Sequence, residues 1–123
     1  MKQLENEYPC AINLVIDLIG GKWKVLILWN LNRSTKRFSE LQRAIPGITQ
    51  KVLAQQLKEL EEHGLIIGKA YSIAPARVEY STAELRKKLQ RTLNEMCVWG
   101  DQSADAHQIE RKECWIGSGA AVR

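Results

Sequence analysis

The pair Pro46-Gly47 constrains the fold of this chain more than any other feature, because it separates two segments of helical periodicity. Residues 39–45 and residues 50–63 each place apolar side chains on one helical stripe. Proline cannot continue a helix, and glycine tolerates the left-handed backbone of a tight turn. Ser39 can cap the first helix and Thr49 the second through their side-chain oxygens. The sequence therefore predicts a short helix, a tight turn and a longer amphipathic helix.

Periodicity and chain-breaking residues predict the other elements, which are helices over 10–19, 22–32 and 81–99 and strands over 65–72 and 78–81. Gly20-Gly21 separates the first two helices, and Pro75 marks the loop between the strands. Ser81 and Glu84 form a capping box before the last helix, which Gly100 ends. We therefore predict a mainly α fold with a small β-hairpin, a winged version of the helix-turn-helix arrangement.

Length and composition favour one globular domain. The chain has 123 residues, of which 45% are hydrophobic and 26% charged, and this balance argues against disorder. No apolar run reaches the ~18 residues of a membrane-spanning helix, and the polar start MKQLENEYP is unlike a signal peptide. We therefore predict a cytoplasmic protein that does not enter the membrane. The winged helix-turn-helix domain is expected over residues 1–100, followed by a partly mobile tail over 101–123.

Positive charge is concentrated in one part of the chain. Residues 22–58 contain eight lysines and arginines and one acid, a balance of +7, whereas the remaining 10 bases and 13 acids give −3. A basic lobe on a slightly acidic body is typical of a face that binds a polyanion. A solvated surface with scattered lysines would give the same count, so charge alone leaves both interpretations open.

The longer helix after the turn has the composition of a helix that enters the DNA major groove. If its leucine stripe faces the core, the outward side chains are Gln50, Lys51, Ala54, Gln55 and Lys58. Glutamine can bond an adenine edge through two atoms, and lysine can neutralise phosphate or reach guanine. Three acids, Glu59, Glu61 and Glu62, are kept at the far end of the helix. The alternative is the ordinary polar face of a soluble amphipathic helix.

Three stretches in this order closely resemble the HxlR-type family of bacterial winged helix-turn-helix regulators, relatives of the MarR-like repressors. They are IGGKWKVLILWNL (19–31), KRFSELQRAIPGITQKVLAQQLKELEEHGLI (36–66) and PARVEYSTAEL (75–85). The resemblance extends over residues 10–99. It implies a homodimeric transcriptional regulator, which we interpret as a repressor. Its first and last helices would form the dimer interface, and its partner would be double-stranded DNA with a pseudo-palindromic operator.

The same resemblance assigns DNA-contact roles residue by residue. It implies that the bases are read by Thr49, Gln50, Lys51, Gln55 and Gln56. It implies that the wing and the phosphate-binding side chains contact the DNA backbone through Lys36, Arg37, Ser39, Lys58, Lys69, Ser72 and Arg77. Two half-sites about one helical turn apart, roughly 34 Å, would match the symmetry of a dimer.

Cys10 is a candidate sensor of oxidants or small electrophiles. It follows Pro9 at the predicted start of the first helix, where backbone N–H groups and the helix dipole favour a thiolate. Some HxlR-type regulators resemble thiol sensors that use a cysteine at this place. Glu5 and Glu7 nearby oppose a thiolate, and a small apolar residue packed at the dimer interface is the alternative interpretation.

No sequence pattern favours catalysis, a cofactor or a metal. The spacing of Cys97, His107 and Cys114 matches no zinc motif, Cys97 is expected in the core, and Cys114 is a tail thiol that could resolve a disulfide. Two other functions stay open beside DNA binding. One is a winged helix that docks partner proteins without binding an operator. The other, ranked last, is enzyme chemistry at Cys10, which lacks a nearby base in this fold.

Overall fold

A computed structural model describes residues 3–71, 77–83, 88–111, 115–116 and 120–121. Within these residues the helices are α1 (Ala11–Ile19), α2 (Lys24–Arg33), α3 (Phe38–Ala44), α4 (Gln50–Glu62) and α5 (Lys88–Ala106). The strands in the same residues are β1 (Lys36–Arg37), β2 (Ile66–Tyr71), β3 (Arg77–Thr82), β4 (Trp115–Ile116) and β5 (Ala120–Ala121). The predicted mainly α fold with a small β-hairpin is confirmed.

One apolar core holds α2, α3 and α4 together. Ile27 and Leu28 on α2, Leu41 on α3, and Leu53 and Leu60 on α4 are all fully buried. Burying a leucine or isoleucine side chain stabilises a fold by about 1.5–3 kcal/mol. Because the leucine stripe of α4 packs into this core, the opposite side of α4 faces solvent.

The turn between α3 and α4 is built around Gly47. Its φ is +83°, in the left-handed region that residues with a Cβ adopt only with strain. Ile45 and Ile48 on either side are buried, and the Ile48 N–H donates to the Ile45 carbonyl at 3.3 Å. The glycine and the two buried isoleucines therefore fix the angle at which α4 leaves α3.

The wing belongs to a three-stranded antiparallel sheet with the strand order β1-β3-β2. β2 and β3 form the predicted hairpin, which is paired from Ile66 opposite Thr82 to Tyr71 opposite Arg77. β1 is a strand that the sequence did not indicate, and it places Lys36 opposite Tyr80. Two residues are too short for an alternating pattern to be recognised. The loop over residues 72–76 lies outside the described part of the chain.

The prediction that Ser39 caps α3 is wrong. The helix begins at Phe38, and the extended residue Arg37 is its N-cap. Pairing of β1 with β3 holds Arg37 extended, and the Glu40 carboxylate accepts a hydrogen bond from the Arg37 backbone N–H at 2.7 Å. This hydrogen bond, ahead of the nearby arginine and lysine charges, lowers the pKa of Glu40. Ser39 lies in the first turn with its side chain exposed.

The prediction that Gly100 ends the last helix is also wrong, because α5 continues to Ala106. A glycine inside a helix lowers its stability by only about 1 kcal/mol relative to alanine, so the surrounding helical turns can offset the loss. At the other end of α5, Ser81 lies in β3, and its predicted capping partner Glu84 falls outside the described residues. The division into a domain over 1–100 and a tail over 101–123 stays a prediction.

After α5 the chain turns back and is tied to the helix. Gln108 has a φ of 57°, which allows the reversal. Arg111 then donates one hydrogen bond to buried Asp101 and one to Asp105, both at 2.8 Å. The two carboxylates, Asp101 first, raise the pKa of Arg111. The segment from His107 to Arg111 is therefore held against α5.

Candidate nucleic-acid interface

The first half of α4 presents the polar face that the sequence predicts. Gln50, Lys51 and Gln55 are exposed, and Gln56 is half-buried. Lys58 extends the exposed face into the second half of the helix. The first turn of α4 contains no acid. Amide and ammonium groups on an acid-free helix surface can approach a polyanion without charge repulsion. The exposure predicted for Gln50, Lys51, Ala54, Gln55 and Lys58 is confirmed, whereas the roles of the polar residues in reading bases stay a prediction.

Thr49 is the N-cap of α4, as predicted. Its Oγ1 accepts a hydrogen bond from the Val52 backbone N–H at 3.2 Å, and its carbonyl accepts from the Leu53 N–H at 2.9 Å. A threonine cap typically contributes about 1 kcal/mol to stability. Because Oγ1 acts as an acceptor in the cap, the threonine O–H can still donate to a phosphate oxygen at the exposed start of the helix.

A buried ion pair joins α2 to α4, and sequence reasoning did not find it. Lys24 Nζ donates to Glu59 Oε1 at 2.8 Å, and the two side chains are only 7% and 9% exposed. From the sequence, Lys24 is only one of the bases within residues 22–58, and Glu59 is only one of three acids at the far end of the longer helix. One signal was present, since Glu59 falls at helical spacing from half-buried Val52 and Gln56 on the flank of α4.

The surroundings of Glu59 favour its ionised form. The hydrogen bond from Lys24 is the largest cause of the lowered pKa of Glu59, and it outweighs the opposing effect of burial. Glu59 is therefore held ionised beside a buried cation.

The candidates for phosphate contact before α4 lie where β1 meets α3. Arg37 and Ser39 are exposed, and Lys36 is half-buried with its ammonium donating to Ser34 Oγ at 2.9 Å. Arg37 Nε also lies 3.9 Å from Glu40 Oε1, in an exposed pair that is weak in water. Three of the residues predicted to contact the DNA backbone therefore lie together where β1 meets α3.

At the end of the hairpin next to the loop over 72–76, two of the three predicted wing residues lie against one aromatic ring. Lys69 Nζ lies 5.6 Å, and Arg77 Cζ 5.4 Å, from the centre of the Tyr71 ring. Arg77 Nε is also 3.6 Å from Glu79 Oε2, and a hydrogen bond to Glu79 raises the pKa of Tyr71. Glu79 thus offsets part of the positive charge here. Ser72, the third wing candidate, lies outside the described residues.

Several large apolar side chains on α1, α2 and α5 are exposed. On α1, Ile12 is 63% and Ile16 58% exposed, and on α5 Trp99 is 71% and Met96 47% exposed. On α2, Leu26 is 41% exposed and lines a shallow pocket together with Met96. Isolated exposed apolar side chains are ordinary, but several on helices predicted to be amphipathic indicate a surface that another molecule covers. We call these five residues the outer apolar surface.

Cys10 lies at the N-cap of α1, as predicted, with its side chain exposed. Its backbone carbonyl accepts from the Asn13 N–H at 3.0 Å, whereas its side chain makes no capping hydrogen bond. The preceding segment is tied to the helix by Tyr8, whose hydroxyl donates to Asp17 Oδ2 at 2.7 Å. The thiol is therefore accessible at a fixed place beside α1.

The other predicted absences concern metals and membranes. Among the described residues, no group of three histidine, cysteine or acidic side chains could hold a metal ion. Cys97 is half-buried where α5 meets α2, and Cys114 falls outside the part of the chain that the structure describes. Within that part, every helix is too short or too polar to cross a membrane.

Comparison with known proteins identifies the family. The model of the HxlR-like helix-turn-helix matches residues 18–108, which includes every element from α2 to α5. The chain belongs to the HxlR-like helix-turn-helix family. Its members among the curated relatives are named as transcriptional regulators rather than enzymes. This HxlR-like protein is thus a transcriptional regulator with a winged helix-turn-helix domain.

Three relatives show how close the likeness is. The HTH-type regulator YkvN of Bacillus subtilis, itself uncharacterised, is 45% identical over 104 residues, covering 85% of this chain and 88% of that protein. The redox regulator HypR in its reduced form is 35% identical with a TM-score of 0.76, covering 80% and 98%. Diamide-treated YodB from B. subtilis is 35% identical with a TM-score of 0.65, covering 80% and 96%.

Proposed function

We propose that this HxlR-like protein binds DNA sequence-specifically as a homodimer and represses transcription by occupying a pseudo-palindromic operator. The observation that carries the proposal is the acid-free first half of α4, where Gln50, Lys51 and Gln55 are turned to solvent while the leucine stripe is buried. An α-helix fits the major groove, and these side chain types read base edges there. Such a regulator would act on chromosomal DNA in the cytoplasm.

The contacts divide into two classes with different consequences. Base reading is proposed for Thr49, Gln50, Lys51, Gln55 and Gln56. Contacts to the DNA backbone are proposed for Lys36, Arg37, Ser39, Lys58, Lys69, Ser72 and Arg77. Base contacts give specificity, whereas backbone contacts set affinity and register for any sequence.

The proposed occupant of the outer apolar surface is a second copy of the chain. Ile12, Ile16, Met96 and Trp99 lie on the first and last helices, which the family resemblance assigns to the dimer interface. In a two-fold dimer each of these side chains is buried twice, once in each copy. Two copies of α4 could then enter successive major grooves about 34 Å apart.

Regulation through Cys10 is the finer part of the proposal. Its thiol is exposed at the start of α1, beside the outer apolar surface, and two similar solved proteins are a redox regulator and a diamide-treated regulator. A quinone would add to the sulfur with formation of one S–C bond, and the thiol proton would pass to the ring oxygen. Diamide would take two electrons and two protons from Cys10 and a second thiol, leaving a disulfide and the hydrazine. Either product changes the packing at the proposed dimer interface.

The deciding experiment is the selection of bound duplexes from a random pool, with a gel shift of the winning sequence at physiological salt. We expect a pseudo-palindrome, and a logarithmic salt slope of about −0.9 for each phosphate contacted. A stable complex with a partner protein and no duplex binding would instead favour the protein-docking alternative.

Two variants separate the contact classes. Gln50→Ala should cost about 1–3 kcal/mol on the selected operator and relax the preference at one base pair. Lys36→Ala should weaken operator and random duplex alike and reduce the salt slope by about 1. Equal losses of Gln50→Ala on both duplexes would contradict its assignment as a base reader.

The sensor proposal has its own test. Cys10→Ser should bind the operator like the wild type but keep binding after treatment with diamide or a quinone. Cys97→Ser is the matched control, because Cys97 is half-buried on α5, and it should still respond. If the oxidant releases Cys10→Ser and the wild type from DNA to the same extent, Cys10 has no part in regulation.

A further inference from the structure

Lys22 lies just before α2 and has no role among the DNA contacts proposed above. Its ammonium lies 4.6 Å from the centre of the Trp23 ring, within the range of a cation–π contact. The same ring reaches the turn between α3 and α4, where its Cη2 atom is 4.0 Å from the position that a Cβ on Gly47 would take. We propose that Lys22 is a further contact to the DNA backbone, held beside the start of α4 by Trp23. This inference rests on the proposed function.

The Trp23 ring joins Lys22 to the N-terminal end of α4. Gly47 is two residues before Thr49, the N-cap of that helix. Lys22, Gly47 and Thr49 are all exposed, whereas Trp23 is half-buried and packs against the core. The ring therefore has one edge at the turn and one face under the ammonium. Only the indole separates the charge of Lys22 from the turn that precedes α4.

The charge of Lys22 is available to an anion. In the described part of the chain no ion pair joins Lys22 to an acid, and the first turns of α2 and α4 contain no acid. Its neighbour Lys24, by contrast, is buried and paired with Glu59 at 2.8 Å. A cation without an acid partner, beside an acid-free helix start, attracts phosphate, the anion that DNA presents.

Stacking on the ring reduces the cost of ordering the lysine. A lysine that is unrestrained in solution loses side-chain freedom when it binds, which lowers affinity by about two- to tenfold. The Trp23 ring restrains the ammonium before DNA binds, so part of this loss is avoided. Trp23 is therefore a positioning residue for Lys22, and the two act as a unit.

The first test measures binding of Lys22→Gln to the selected operator and to random duplex at 50 and 200 mM salt. Its salt slope should be less negative by about 0.9, so its loss of affinity should be about 3.5-fold smaller at the higher salt on both duplexes. Lys22→Arg keeps the charge, can stack on the ring and should bind like the wild type. Arg91→Gln removes one exposed positive charge from α5 and is the matched control, which should keep the wild-type slope.

A second test locates the phosphate. Each phosphate of one operator half-site is replaced in turn by an uncharged methylphosphonate. The wild type should lose affinity at every contacted position, whereas Lys22→Gln should be insensitive at one of those positions. All other positions should affect the two proteins alike. Coupling confined to one phosphate indicates a direct contact, since a change in net charge would affect all positions.

Trp23→Leu tests the positioning role, and Trp23→Met takes its place if Trp23→Leu does not fold. The substitution should weaken binding to both duplexes by about two- to tenfold without changing the salt slope. In a Lys22→Gln background it should weaken binding no further. Equal losses in the two backgrounds would mean that Trp23 acts only by packing, and its role in holding Lys22 would be overturned.

Failure of this inference differs from failure of the proposed function. If the wild type binds duplex but Lys22→Gln keeps its salt slope and its methylphosphonate profile, Lys22 makes no phosphate contact and the proposed function stands. If the wild type selects no duplex, the proposed function fails and this inference fails with it.

Discussion

The helix-turn-helix core and the outer apolar surface are both lined with isoleucine and leucine, but only the first is closed. Leu41, Leu53 and Leu60 are fully buried by neighbouring elements of the same chain. Ile12 and Ile16 on α1 have the same helical spacing and are more than half exposed. A single chain therefore buries the apolar stripes of the helix-turn-helix, whereas it leaves the apolar side chains of α1 exposed.

This contrast separates two kinds of stability. Contacts of the core should determine whether a single chain folds at all. Contacts of the outer apolar surface should determine whether two chains associate, and hence whether two copies of α4 can act together. Four substitutions test whether these two kinds of stability are separate.

The largest effect is expected for Ile16→Glu. Losing a buried isoleucine in both copies removes about 3–6 kcal/mol of association free energy, so the dimer dissociation constant should rise at least about 100-fold. Sedimentation velocity should show a folded monomer with an unchanged circular dichroism spectrum. Ile67→Glu, on exposed β2, is the matched control and should stay dimeric. A dimeric Ile16→Glu protein would place the interface elsewhere.

Next in size is Glu59→Gln, which acts inside the core. Breaking a buried ion pair costs about 3–5 kcal/mol, measured here as the shift in urea unfolding at pH 7. The pKa of Glu59 is lowered from 4.5 by Lys24, so its contribution is present above that pH and is lost as the pH falls through the folded value. The difference in unfolding free energy between wild type and variant should therefore narrow as the pH falls below 4.5. Exposed Glu62→Gln should show neither the shift nor the narrowing.

Leu57→Ala should destabilise the single chain by about 2–5 kcal/mol, because it leaves a cavity under α4. Leu57 is 2% exposed, whereas Leu26 on the outer apolar surface is 41% exposed. In the Ile16→Glu background, Leu26→Ala should therefore change the free energy of unfolding in urea by less than about 0.5 kcal/mol. Similar losses for both leucines would mean that the two regions are not separate.

The smallest effect is expected for Thr49→Ala. Removing the cap of α4 should cost about 1 kcal/mol in urea unfolding, since one N–H at the helix start loses its acceptor. Thr49→Ser keeps the oxygen and should recover most of that loss. If Thr49→Ala weakens binding to random duplex while Thr49→Ser does not, the hydroxyl also contacts phosphate.

The sequence was most informative where structure depends on neighbours along the chain. The Pro46-Gly47 break and the Thr49 cap act within one or two turns, and both were predicted. β1 and the Lys24–Glu59 pair join residues more than 30 positions apart, and no local pattern identifies which distant residue is the partner. The helical spacing of its apolar residues predicted α1 as a helix, but this spacing does not say which molecule covers the apolar stripe.

The short strand β1 has a consequence for how signals could travel. Its antiparallel pairing with β3 joins the residues just before α3 to the wing hairpin. A displacement of the hairpin would thus be transmitted to the start of α3, and the hairpin and the helix-turn-helix would move together. α1, by contrast, is joined to α2 through Gly20 and Gly21, where a change of backbone angle could reorient the helix that Cys10 precedes without moving the sheet.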